Sequence, residues 1–355
     1  MTEVITINYI LGGYVMKKVV YYNVDDTLDF ENELLKKWGV DDIELIEFKN
    51  GEDRDKPEAF LEAVKDADGI VVEFFDVNAD VIAKMEDKCK IVALQAIGYS
   101  NVDIDAATEK GMAVTNSPGF CTEEVAVHTI GLMLDVARKI SILNKSTGEG
   151  NWNPHIGGPM VERLSGKTVG LVFFGSIPRY MIPILKAMGM KVTCWAPTKT
   201  AEFLAEFGVE KVETLEQLLK ESDVVSMHCP LVMKAVPGRP ATYHLMGEEQ
   251  FKMMKPNAYF LNTSRGQTVD EAALVKALKE GWIRGAGIDV IEDEATEQSE
   301  LFGLENAVVT PHAAFVSVEA FEDARIIALK QLVELLHDGK VPENLVNKAV
   351  ADKLL

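Results

Sequence analysis

The chain has 355 residues, 47% of them hydrophobic, and 36 Lys and Arg against 56 Asp and Glu give it a formal net charge of −20. That length allows two domains with sizeable cores. So acidic a surface repels phosphate backbones and anionic lipid, so no nucleic-acid or membrane partner is expected and small molecules are the expected ligands.

Residues 1–15, "MTEVITINYILGGYV", read as an extension ahead of the first strand, with no basic region leading into an apolar core and so no secretory signal. From Met16 the chain alternates. "KKVVYYNV", "GIVVEFF", "CKIVALQAIG" and "MAVTN" read as strands, and "DFENELLKKWG", "KPEAFLEAVKDA", "ADVIAKMED" and "DIDAATEKG" as helices between them. Near-continuous apolar strands separated by helices predict a parallel sheet covered on both faces. A single long helix is predicted from about Glu123 to Ser146. Its apolar run is interrupted by His128, Asp135 and Arg138, which makes it a buried helix and not a membrane span. The irregular stretch "GEGNWNPHIGGP" follows.

Six further strands are predicted in "TVGLVFF", "KVTCWA", "DVVSMHC", "AYFLNTS", "GAGIDV" and "AVVTP", the content of a doubly wound nucleotide domain. A last helix, "SVEAFEDARIIALKQLVELLHDG", suggests a return to the first domain. The four cysteines, Cys89, Cys121, Cys194 and Cys229, lack C-x-x-C spacing. They are expected to be reduced core thiols in a cytoplasmic protein, and no metal site is expected.

The segment "VGLVFFGSIPR" has the outline of a dinucleotide loop. In that fingerprint the first glycine permits the tight turn, the second lets the backbone approach the diphosphate, and the third packs helix on strand. Here Phe173 holds the first position, Gly175 the second and Pro178 the third. The surviving glycine is the one nearest phosphate. A proline in the first helical turn costs nothing, because its missing N–H would have had no helical acceptor. The amides of Ser176 and Ile177 are therefore expected to face an anion. Phe173 is the anomaly, expected to reshape the turn or crowd the adenosine side. The second strand ends in "CWAPTKT", where NAD-binding domains carry an acid for the ribose 2′-hydroxyl. Ala196 stands there, with Thr198, Lys199 and Thr200 after it. The cofactor is thus expected to be NAD(P), with a lean toward NADP.

Arg265, Glu294 and His312 each follow a strand, in "NTSRG", "DVIEDE" and "TPHAAF". Ligands of doubly wound sheets sit at such strand ends. An arginine can grip a carboxylate and polarise a keto oxygen, a histidine can donate or remove a proton, and a carboxylate can orient that histidine. These segments, with "AIGYSNVDIDAATEKGMAVTNSPG", "CTEEVAVHT" and "SDVVSMHCPL", closely resemble the D-isomer-specific 2-hydroxyacid dehydrogenase family from Met16 onward. "TPHAAF" and the proline in "GSIPR" look nearer to the branch that contains the C-terminal binding proteins, and the absence of an added domain after residue 350 makes 3-phosphoglycerate a poor substrate guess.

The resemblance implies an NAD(P)-dependent oxidoreductase of small 2-keto and 2-hydroxy acids. Arg265, Glu294 and His312 would be catalytic, with the amides of Ile97 and Gly98 binding the substrate carboxylate beside Arg265. Asp289 would touch the nicotinamide amide, and Thr122, Cys229, Pro230 and Thr263 would line the cofactor along with Gly175, Ser176, Ile177, Thr198 and Lys199. Phe74, Phe75 and Tyr99 are candidates to face the substrate side chain. The implied fold is α/β, with two doubly wound parallel-sheet domains. A Rossmann-type domain would span 119–314, and a discontinuous flavodoxin-like substrate domain 1–118 with 315–355. The helix near 123–146 and "NWNPHIGGP" resemble a dimer-forming element, so a homodimer is expected. "PLVMKAVPGRPATYHLMG" is several residues longer than the usual connection, and its Pro-Gly-Arg-Pro run predicts an ordered turn. The rival expectation is a dinucleotide-sensing binding protein with little turnover.

Overall fold

The computed structural model describes residues 16–22, 27–49, 55–73, 75–236 and 238–354. The extension at 1–15 and Phe74 lie outside the described residues. The chain divides into two compact units. One runs to Phe120 and resumes at Val318, and the other is Cys121–Ser317.

The first unit alternates β1 (Lys17–Tyr22), α1 (Asp29–Trp38), β2 (Ile43–Phe48), α2 (Pro57–Ala63), β3 (Gly69–Val72), α3 (Ala79–Lys84), β4 (Ile91–Leu94), α4 (Ile104–Lys110) and β5 (Ala113–Thr115). The strands pair in parallel in the order β2-β1-β3-β4-β5, the flavodoxin-like winding. β3 and β4 are buried throughout, as apolar runs in a covered parallel sheet should be. Two helices start on side-chain caps: Asn78 accepts from the amide of Val81, and Asp103 from that of Ala106.

β2 was not expected. Its sequence, IELIEF, mixes acids with apolar residues because it is an edge strand with one side partly in water. The helix Val318–Leu336 returns to this unit and buries Ala328, Leu329 and Leu332 beside Val19, Val71 and Ile91. Arg325 clamps it to α1 through a two-pronged pair with buried Glu31, at 2.7 and 2.6 Å. Phe75 is a core residue here and not a substrate contact, since it stacks on Phe60 at 4.2 Å and is 7% exposed.

In the second unit α5 (Thr122–Arg138) and α6 (Ile140–Gly148) precede β6 (Thr168–Val172), α7 (Ser176–Ala187), β7 (Lys191–Trp195), α8 (Ala201–Glu206), β8 (Glu210–Lys211), α9 (Leu215–Glu221), β9 (Val224–Met227), α10 (Glu248–Met253), β10 (Tyr259–Asn262), α11 (Glu271–Lys279), β11 (Gly285–Ile288) and β12 (Ala307–Val309). The parallel sheet runs β12-β11-β10-β9-β6-β7-β8, the dinucleotide order 3-2-1-4-5-6 with one more strand at the end. α5 and α7 cover one face and α9, α10 and α11 the other.

The single helix expected over 123–146 is two. Lys139 takes a left-handed conformation (φ 59°) between them. Asp135 caps the new start by accepting from the amide of Ser141 at 2.8 Å and from its hydroxyl. Lys139 Nζ donates to the carbonyls of Gly158 and Pro159 at 3.0 and 2.7 Å, which ties the break to the Gly/Pro stretch. Among the described residues no helix is long and apolar enough to cross a membrane.

Candidate active site

The order of the second sheet reverses between β6 and β9, and the loops leaving these strands diverge there to leave a crevice for a ligand. The β6 loop carries Gly175, the N-cap of α7. Its φ of −125° suits any residue, so conformation does not demand a glycine. A Cβ built on it would meet nothing within 4 Å, so a side chain here would only take space in front of the loop. Among the described residues the amides of Gly175, Ser176 and Ile177 have no hydrogen-bond acceptor. An open cradle with free amides at a helix N-terminus fits the diphosphate of a dinucleotide.

Phe173 answers the anomaly of the fingerprint. It adopts the left-handed turn itself, at φ 72°, and its side chain turns into the core. There it meets Trp195 edge-on at 5.6 Å and is 7% exposed, so its ring does not crowd the loop. Thr122, at the start of α5, reaches Ser176 through its hydroxyl at 3.4 Å. Past β9, burial pushes the Cys229 thiol up to about 12 and the neutral side chain joins the core beside Phe173. Pro230, the next residue, accepts from the Thr242 hydroxyl through its carbonyl at 2.6 Å. Past β7, Ala196 is buried, and Thr198, Lys199 and Thr200 line an open cleft of about 840 Å³.

Past β10, Thr263 shares a hydrogen bond with Thr129 of α5 at 2.7 Å. The Arg265 carbonyl accepts from Asn262 and from the Thr268 hydroxyl, at 3.0 and 2.7 Å, which fixes its backbone. Its guanidinium donates to the Ser264 carbonyl at 2.7 Å and is partly exposed. It also lies near enough to Cys121 to oppose, with its charge, the burial and the Glu124 carboxylate that push that thiol up to about 12.

Gly266 explains how this loop meets the next one. A Cβ there would lie 1.7 Å from the Ile291 carbonyl oxygen and 2.7 Å from the Glu292 amide. The turn carrying Arg265 is thus packed on the backbone that leads to Glu294. That role was legible only as one glycine in "SRGQT", without a signal for its neighbour.

Glu294 follows β11 and His312 follows β12. His312 Nδ1 and Glu294 Oε2 are 2.9 Å apart, and both side chains are 44% exposed. His312 is also left-handed, at φ 50°. Asp289 holds it there. Its enclosed carboxylate accepts from the Thr310 hydroxyl at 2.5 Å and from the amides of Ala313 and Ala314 at 2.9 and 3.0 Å. His128 of α5 closes the cluster, 3.0 Å from the Thr310 hydroxyl. Asp289, expected against the nicotinamide amide, thus accepts from Thr310, Ala313 and Ala314 and has His128 Nε2 at 3.5 Å from its carboxylate. Arg265 makes no hydrogen bond to Glu294 or His312 among the described residues.

In the first unit, Ile97 and Gly98 follow β4. Their amides have no acceptor among the described residues, while the Ile97 carbonyl accepts from Asn116 at 2.8 Å. Tyr99 beside them is 43% exposed. Among the described residues no group of three or more His, Cys, Asp or Glu is placed to hold a metal ion.

Residues 130–314 match the NAD binding domain of the D-isomer specific 2-hydroxyacid dehydrogenases. A glyoxylate reductase of Thermococcus litoralis is 41% identical over 295 residues, 82% of this chain and 86% of that one. D-lactate dehydrogenase of Escherichia coli, solved in its apo form, superposes with a TM-score of 0.76 at 31% identity, covering 93% of this chain and all of the other. The glyoxylate reductase of Paecilomyes thermophila superposes with a TM-score of 0.81 at 26% identity, over 94% and 99% of the two chains.

Proposed function

Because this chain belongs to the D-isomer specific 2-hydroxyacid dehydrogenases, NAD(P)-dependent oxidoreductases acting on CH–OH groups, we propose that it reduces small 2-keto acids such as glyoxylate with His312 as the proton donor. The observation that carries this reading is the 2.9 Å pair between His312 Nδ1 and Glu294. With Nδ1 engaged by a carboxylate, the imidazole offers Nε2 to a substrate. Nicotinamide, when bound, supplies the hydride that reduces the keto carbon. Protonated His312 gives the Nε2 proton to the keto oxygen as charge develops there, and Glu294 keeps Nδ1–H in place as the ring becomes neutral. In the reverse direction neutral Nε2 takes the hydroxyl proton.

Arg265 holds the substrate carboxylate in a charge-assisted fork, and the amides of Ile97 and Gly98 are free to donate to a carboxylate. Gly175, Ser176 and Ile177 hold the cofactor diphosphate. Thr122, Thr263, Cys229 and Pro230 line the cofactor, and Asp289 positions the loop carrying His312. The preferred cofactor is NADP(H), because Ala196 sets no carboxylate at the 2′ position and Thr198 and Lys199 offer donors there. A pure sensor of dinucleotides has no need of a paired histidine and glutamate.

We place the protein in the cytoplasm, in keeping with four free cysteines. Two copies pair through the region of α6 and the Gly/Pro stretch, where Ile140, Trp152 and Met160 are exposed. The functional reading is tested by following nicotinamide absorbance with NADPH and with NADH against glyoxylate, hydroxypyruvate and branched and aromatic 2-keto acids. Turnover of at least one, faster with NADPH, is expected. Tight cofactor binding without turnover of any would return the sensor reading.

A further inference from the structure

In the insertion between β9 and α10 the segments 230–236 and 238–242 fold back on one another, and Pro237 lies outside the described residues. Val236 and Arg239 exchange backbone hydrogen bonds at 2.9 Å each way, and Gly238 supplies the left-handed residue of the turn (φ 78°). The base is closed by buried Thr242. Its hydroxyl donates to the Pro230 carbonyl at 2.6 Å and accepts from the Val232 amide at 2.7 Å, and its own amide donates to the Val232 carbonyl at 2.8 Å.

The hairpin reaches the cleft past β7. Val236, Gly238 and Arg239 line the same 840 Å³ space as Pro197 to Glu202 and Lys211. Three cations, Lys199, Lys211 and Arg239, thus face it with one carboxylate, Glu202, on a chain whose net charge is −20. Lys211 has a neighbour in Glu213 at 3.7 Å, and Lys199 Nζ lies 4.9 Å over the Phe203 ring. Among the described residues neither Lys199 nor Arg239 has a carboxylate partner. Three cations against one lining carboxylate, in an acidic protein, mark an anion site.

We propose that Arg239, brought by the inserted hairpin, is a specificity-determining contact for the 2′-phosphate of NADPH, acting with Lys199 across the cleft where Ala196 replaces the expected acid. The proposal rests on the NADP(H) reading above and adds the residue that enforces it. A guanidinium presents paired donors to phosphate oxygens, whereas a lysine offers a point charge, so Arg239 carries the larger share of discrimination. The two free hydroxyls of an NADH ribose offer it no charge to grip.

The test is calorimetric titration of the full-length protein with NADPH and with NADH, for the wild type, Arg239→Ala, Arg239→Glu and Lys199→Ala, with 2′,5′-ADP against 5′-ADP as probes lacking nicotinamide. Arg239 is exposed, so its truncation leaves the fold intact. The wild type is expected to bind NADPH more tightly. The ratio of the NADH to the NADPH dissociation constant should fall about tenfold in Arg239→Ala and further in Arg239→Glu. The 2′,5′-ADP probe should lose affinity in parallel. An unchanged ratio in both Arg239 variants, with NADPH still preferred, overturns the role of the hairpin and leaves the cofactor reading standing. A wild type that binds NADH more tightly overturns both.

Discussion

His312 is held in a backbone conformation that a non-glycine residue seldom adopts, and Asp289 is what holds it. The strain aims the ring at Glu294. A carboxylate on Nδ1 fixes the orientation and tautomer of the ring and so leaves Nε2 for the substrate. Glu294→Ala should therefore lower kcat/KM for glyoxylate by about 10- to 100-fold with NADPH affinity retained. Steady-state kinetics of both proteins check this, and an unchanged kcat/KM would break the pairing.

At Phe173 backbone strain opposes the burial of an aromatic ring. Relieving its left-handed strain with glycine gains roughly 1–2 kcal/mol. Removing a buried aromatic costs about 3–5 kcal/mol. Phe173→Gly should therefore lose roughly 2 kcal/mol in a urea titration, although it restores the usual fingerprint. Arg265, Glu294, His312 and Gly175 stood out as candidates because such residue types at strand ends are uncommon. The conformation of Phe173 was not legible, since both aromatics of "VFFGS" are buried and nothing in the segment tells which of them takes the left-handed turn.

At the scale of elements, the site depends on loops packed at the ends of parallel strands. Gly266 is the tightest of these contacts, with the Ile291 carbonyl where a Cβ would be. Gly266→Ala must drive the Arg265 turn off the segment leading to Glu294. A displacement of about 1 Å in such a site costs on the order of 100-fold, so kcat/KM should fall by about that factor while cofactor affinity, read separately by calorimetry, changes far less. An activity within twofold of wild type would show that the loops move freely.

The parallel strands were readable as apolar runs because both their faces are covered. The edge strand β2 escaped notice, as its acids Glu44 and Glu47 are three residues apart, a helical spacing and not a strand alternation. β8 has only two residues and no periodicity to detect. The break at Lys139 was invisible because the carbonyls of Gly158 and Pro159 that hold it come from distant chain, and Asp135 reads as one more helical residue until it caps Ser141.

At the scale of the molecule, two doubly wound units give an acidic oxidoreductase with a local positive cleft. All four cysteines are free and buried, and burial pushes each thiol up to about 12. At pH 8 they are therefore protonated in the fold, and the thiolate is the reactive form. Native protein should resist iodoacetamide at that pH, while urea-unfolded protein takes up four equivalents by mass spectrometry. Light scattering should give the mass of two chains, and a monomer at micromolar concentration would contradict the pairing through Ile140, Trp152 and Met160.

Whether His312 delivers the proton in keto-acid reduction is read from single-turnover reduction of glyoxylate by NADPH-loaded wild type and His312→Asn. The rate of nicotinamide oxidation should drop about 100- to 10,000-fold in the variant, with NADPH affinity retained. Turnover within a few-fold of wild type would mean that the proton comes from another group.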